Sequence, residues 1–281
     1  MNYVPSKDEL EQAFAFIKGK AIPKMPEVVL ELQKEIAKNE PNLSKVGAIL
    51  EEDMALSGLV LKTVNSVNFG LQRKINSIPH AAMLLGLNTL KDAVLISALK
   101  AALGEQSRFQ TLVWRISQGN ALGARTLAFA VEGVSVDYAY LAGLFHDVGA
   151  LIMEKIHPDY PTFYRQGLIF PISALKEETD HYGTNHAAIG FLLAKHWELP
   201  DSVCSAIYNS HSESCAEIKD LQIRALCAIL KITSNSTTHL LLPEVEFSNE
   251  AITMLSDAYI ELTVNADSLY EMSLNLKTGA M

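Results

Sequence analysis

Apolar residues recur every three or four positions along nearly the whole of this 281-residue chain, and no pair of segments alternates residue by residue. A period near 3.6 builds amphipathic helices, whereas a sheet needs at least two alternating segments to pair. The one strand-like stretch, Leu168–Ile172, is interrupted by Pro171, which removes a ladder donor. The pattern predicts an all-α protein.

Cap residues punctuate the helices. Ser6 with Glu9 reads as a capping box that opens a helix ending near Gly19. Pro26 starts a second helix, which stops at Asn39–Pro41, and a short one follows over Leu43–Leu50. Asp53 caps the next, the pattern breaks at Asn68–Gly70, Asn76 or Ser77 restarts it, and Gly86 closes it. Asn88 opens a helix to about Leu103. Gly104–Ser107 turns polar, which places a boundary between an N-terminal helical subdomain, 1–106, and a second one, 107–281. Beyond it helices are expected near 108–132, 137–155, 173–182, 185–197, 200–210, 217–235, 248–258 and 266–276.

Composition narrows the function. With 32 acidic against 23 basic residues the net charge is −9, so phosphate backbones and anionic lipid are repelled; nucleic acid and membrane are not expected partners. Cys204, Cys215 and Cys227 form no CxxC pair, which suits buried thiols in a reducing compartment. The N-terminus lacks the charged start and apolar run of a signal peptide, and no stretch reaches a membrane span. A cytoplasmic location is expected.

The segment AGLFHDVGALI carries the chemistry. At 100° per residue Leu141, Leu144, Phe145, Val148, Leu151 and Ile152 share one side. Small residues share the other with His146 and Asp147, so the helix is expected to be buried on both faces. An adjacent imidazole and carboxylate can converge on a metal, or Asp147 can accept a hydrogen bond that locks the packing. His186, with Thr184 as cap, turns inward at a helix N-terminus, where the dipole favours neutral imidazole and anions. His211 falls at the polar end of the 200–210 helix and is expected to be solvated unless that end reaches the pair. His80, His157, His181, His196 and His239 have no comparable context.

These pieces occur in a familiar order. Ile22-Pro23-Lys24-Met25-Pro26, the run Glu51–Gly70, the run Ile75–Leu95, Trp114, the segment around His146-Asp147 and the run His186–Ile207 together resemble the HDOD family, HD-related output domains of bacterial signalling. The likeness covers about residues 20–235. It implies an HD-like helical bundle with an extra N-terminal helical subdomain, related to metal-dependent phosphohydrolases. Against those enzymes His146, Asp147 and His186 match, and His211 stands for one of a His-His pair, with Ser210 in place of the other. The upstream histidine falls at Ile116-Ser117, and the late aspartate has no counterpart in ALCAILKITSNS, residues 225–236.

The resemblance therefore implies a vestigial or candidate pocket of His146, Asp147, His186 and His211. No catalytic residue and no complete metal site are expected, with room for one divalent ion at most. The expected role is a non-catalytic regulatory module that meets a signalling protein in trans. One alternative is a phosphohydrolase of nucleotides or cyclic dinucleotides, drawing further ligands from Glu177, Glu178 or His181. Another is a sensor that binds a nucleotide or phosphometabolite at the His186 helix N-terminus.

Overall fold

The computed structural model describes residues 3–18, 22–65, 74–264 and 266–279, and every regular element among them is an α-helix. Two compact units emerge: Pro23–Glu105, and Met1–Ile22 together with Gln106–Ala280. Residues 1–22 thus leave the N-terminal subdomain to which the sequence assigned them. The reason lies in α1 (Lys7–Phe16) and the residues before it. Glu9 accepts a hydrogen bond from the Tyr208 hydroxyl at 2.6 Å, and Asn209 donates to the Tyr3 carbonyl at 3.0 Å. The expected capping box of Ser6 and Glu9 forms, but the helix stops at Phe16. Gly19 lies outside the described residues.

The unit Pro23–Glu105 holds α2 (Glu27–Ile36), α3 (Leu43–Glu51), α4 (Met54–Val64), α5 (Ile78–Leu85) and α6 (Leu87–Leu103). Asn42, Asp53 and Ser77 cap α3, α4 and α5 through their side chains. Gly86 ends α5 and begins α6 at φ 79°, a left-handed backbone that an L side chain resists. The expected break at Asn68–Gly70 lies outside the described residues. Its flanks are tied by Asn65, whose side chain donates to the Ile75 carbonyl and accepts from the Ile75 amide, each at 2.7 Å.

The larger unit adds α7 (Arg108–Ala128), α8 (Val136–Phe145), α9 (Val148–Ile156), α10 (Tyr160–Gly167) and α11 (Pro171–Tyr182). It continues with α12 (His186–His196), α13 (Asp201–Asn209), α14 (Leu221–Leu241), α15 (Asn249–Leu262) and α16 (Ala266–Gly279). Helix α7 packs on α8, α14 and α16, and α9 packs on α12. Gly143 makes the first contact possible: a Cβ there would stand 2.5 Å from the Asn120 carbonyl oxygen. Trp114, Phe145, Leu127 and Trp197 fill the core, each fully buried side chain contributing about 1.5–3 kcal/mol.

Two expectations change here. The helix expected over 137–155 is two, α8 and α9, broken at His146-Asp147. The helix expected over 108–132 ends at Ala128. As expected, Leu168–Ile172 is no strand; Pro171 is the first residue of α11, where its missing N–H has no helical partner to lose. The helix α10 escaped the sequence reading because it is only eight residues long and carries Pro161, although Tyr160, Phe163 and Tyr164 recur at helical spacing. No helix among the described residues is long and apolar enough to cross a membrane.

Candidate functional site

The break between α8 and α9 positions the central pair. Asp147 takes φ −110° and ψ 5°, outside helical geometry, and its side chain caps nothing. The carboxylate is therefore available to the interior, where both His146 and Asp147 are buried. His146 Nδ1 lies 3.0 Å from Asp147 Oδ1, close enough for attraction between charges, though not aligned as a hydrogen bond. Gly149 lets α12 approach: a Cβ at that position would collide with the His186 carbonyl oxygen and lie 2.8 Å from the Gly190 nitrogen. The result places His186 Nε2 4.0 Å from Asp147 Oδ1.

His186 is held from behind by Glu178 of α11. Gly183, at φ 73°, reverses the chain between the two helices and brings the carboxylate over the start of α12. The His186 backbone N–H donates to Glu178 Oε2 at 2.9 Å, and His186 Nδ1 donates to the same oxygen at 2.9 Å. The Tyr160 hydroxyl donates to Glu178 Oε1, also at 2.9 Å. Two sequence expectations fail at this point. Asn185, not Thr184, caps α12, and the N-terminus is already satisfied by an internal anion. Nor is neutral imidazole favoured at His186: burial alone would depress its pKa, but the Glu178 charge and hydrogen bond, then Asp147, raise it.

His211 was expected in solvent, yet it turns into the cluster. Its Nε2 lies 3.1 Å from His186 Nε2, and its ring is 5.1 Å from that of His146. The short α13 ends at Asn209, and the following turn carries the imidazole inward. Burial, then the neighbouring His186 and His146 charges, push its pKa well below the usual value. The pair is thus consistent with His186 as N–H donor and His211 as neutral acceptor. Asp147 is driven upward by burial, but His146, His186 and His211 together hold it down to about 2.

His146, Asp147 and His211 bring their ligand atoms within 4.8 Å of one another. Asp147 Oδ2 and the Tyr164 hydroxyl are buried beside one another without an aligned hydrogen bond, and such atoms are commonly completed by an ion, a water or a ligand. Glu178 fixes the ring of His186 as an outer carboxylate fixes a ligating histidine. The donor set fits one divalent ion. Of the other residues offered from the sequence, Glu177 is exposed and accepts from Gln166 at 2.8 Å, while His181 is exposed against Phe163. Only Glu178 joins the site, and it does so behind His186.

A pocket with ≈ 660 Å³ of empty space, some of it open solvent, lies above this cluster. It is lined by His146, Asp147, His186 and His211, by Tyr164, and by Lys231 of α14. Ile116 is fully buried in α7 and does not line it. The sequence reading missed Tyr160, Tyr164 and Lys231. For Lys231 a signal existed, since a lone cation in ALCAILKITSNS is flanked by apolar residues on a helix.

The HDOD domain model matches residues 22–213. An uncharacterized protein of Treponema pallidum (strain Nichols) is 25% identical over 201 residues, which cover 68% of this chain and 38% of that protein. The uncharacterized protein YuxH of Bacillus subtilis (strain 168) is 32% identical over 128 residues, covering 45% of this chain and 31% of that one. The chain thus spans about a third of the length of these curated relatives. Among solved structures, an HDOD domain protein of unknown function from Geobacter sulfurreducens superposes with a TM-score of 0.65 at 22% identity. That match covers 96% of this chain and 97% of the other, and shares the fold.

Proposed function

Because the chain belongs to the HDOD domain family, we propose that it is a regulatory module that signals through a partner protein and does not hydrolyse phosphoesters. The observation that supports this reading is the identity of the α14 residue in the pocket. The stretch of α14 that would carry a metal-binding aspartate in the related enzymes instead lines the cavity with Lys231, close enough to act electrostatically on His211. A buried cation there opposes a second divalent ion, and a dinuclear site also needs more carboxylate than Asp147 provides.

One divalent ion is compatible with this reading. His146, Asp147 and His211 would hold it, with His186 oriented by Glu178 beside them. When bound, a divalent ion supplies Lewis acidity. The chain itself places the Tyr164 hydroxyl as a buried donor and the Lys231 ammonium as a fixed positive charge.

The test combines metal content with a hydrolysis assay on one sample purified without chelator. With Mn²⁺ or Fe²⁺ added and a chromogenic phosphodiester as substrate, no turnover above buffer is expected. Turnover that disappears in Asp147→Ala overturns the reading.

A further inference from the structure

The pocket above the histidine cluster contains chemistry that partner binding does not use. Lys231, Ser234, Asn235 and Thr238 all line it. They stand at i, i+3, i+4 and i+7 on α14, one polar stripe along one helix face. The histidine cluster forms another part of the wall, and Leu168, Leu175, Phe247, Met254 and Leu255 form an apolar part.

Lys231 is buried beside the Cys215 thiol, and its contacts to oxygen are long. Its Nζ lies 3.4 Å from the Glu213 carbonyl oxygen and 3.5 Å from Asp257 Oδ2. Asp257 is engaged more closely elsewhere, accepting from Ser214 Oγ and from the Cys215 amide at 2.7 Å each. An ammonium has three donors, so a closer acceptor from the cavity side would complete it. Buried charge without close pairing is costly, and such groups are concentrated where ligands bind.

We propose that this pocket binds a small organic monoanion, a phosphodiester or carboxylate, whose head meets Lys231 and Asn235 while its apolar body rests on Phe247, Met254 and Leu255. An apolar wall with a few convergent polar groups is the usual make-up of a small-molecule site. A single lysine answers a single negative charge. A dianion would also face the Asp147 carboxylate, which lines the same pocket. The site differs from the one expected at the α12 N-terminus, where Glu178 already occupies the donors. The inference rests on the regulatory reading only in that the bound molecule is kept whole, as a stimulus.

The experiment is calorimetric titration of the full chain with 3′,5′-cyclic AMP, 2-naphthoate, adenosine and inorganic phosphate. At least one of the two monoanions is expected to bind about tenfold or more tightly than adenosine and than phosphate, a difference of about 1.4 kcal/mol. Lys231→Met is expected to erase that advantage, and Leu255→Trp, which fills the cavity, to weaken the same probe at least about tenfold. Which monoanion binds decides between phosphodiester and carboxylate. Equal binding of adenosine or phosphate, no binding of either monoanion, or unchanged affinity in Lys231→Met overturns the proposal. If melting curves show that Lys231→Met does not fold, Asn235→Leu and Leu255→Trp carry the comparison, and unchanged affinity in both overturns it. Hydrolysis of cyclic AMP during titration would sink the regulatory reading and leave the binding site standing. Loss of the Lys231 dependence would do the reverse.

Discussion

Glu178→Ala is the substitution that most directly tests how the site is held. Glu178 is fully buried and accepts from the Tyr160 hydroxyl, the His186 amide and His186 Nδ1, each at 2.9 Å. Truncation leaves these donors in the interior without water, at about 1–3 kcal/mol for each unsatisfied group. It also strips a buried imidazole of the carboxylate that raises its pKa, and removing one partner of a buried ion pair costs about 3–5 kcal/mol. These contributions overlap because they describe the same contacts. The expected loss is about 4 kcal/mol, a large part of the roughly 5–15 kcal/mol that holds a typical protein together. Glu178→Gln keeps the shape and one acceptor but turns an NH₂ toward the remaining donors, so about half that loss is expected. Urea unfolding followed by circular dichroism measures both, with the denaturant slope checked for constancy. A loss below about 1 kcal/mol in the alanine variant, or a glutamine variant weaker than the alanine one, would refute the reasoning.

Asp147 gives a pH prediction. Its folded pKa, about 2, lies below the ordinary value of 3.8, so its contribution is present above pH ~4 and fades as pH falls toward 2, by about 2 kcal/mol in all. Asp147→Asn should flatten that part of the stability profile in acid unfolding. His186 has the opposite sign: its raised folded pKa gives stability that is complete below its unfolded value and lost as pH rises through the folded one, which an NMR titration of the imidazole follows. Gly149→Ala should destabilise by about 1–3 kcal/mol or more, since the atoms in the way are backbone of α12; a melting temperature unchanged from wild type would mean that α12 shifts freely. Cys204 and Cys215 have thiol pKa values pushed up to about 11 by burial, and all three cysteines are buried. Thiol reagents at pH 8 should label the native chain slowly and the urea-unfolded chain at three sites.

The local rules of the chain were readable without coordinates. The all-α class, the caps at Ser6, Asp53 and Ser77, the buried cysteines and the inward turn of His146, Asp147 and His186 all follow from residue type and a 3.6 period. Each depends on interactions within about one helical turn or on burial of an apolar face. The tertiary structure decided the rest. That His211 joins the cluster depends on where α13 ends relative to α12. The anion at the α12 N-terminus is Glu178, eight residues away across the Gly183 turn. Lys231 enters the pocket through the rotation of α14, and the His146-Asp147 break replaces a single expected helix. Periodicity tells which face of a helix is buried but not against what, because the partner is chosen by packing among elements far apart in sequence. The charge balance of the pocket could be seen only once those partners met.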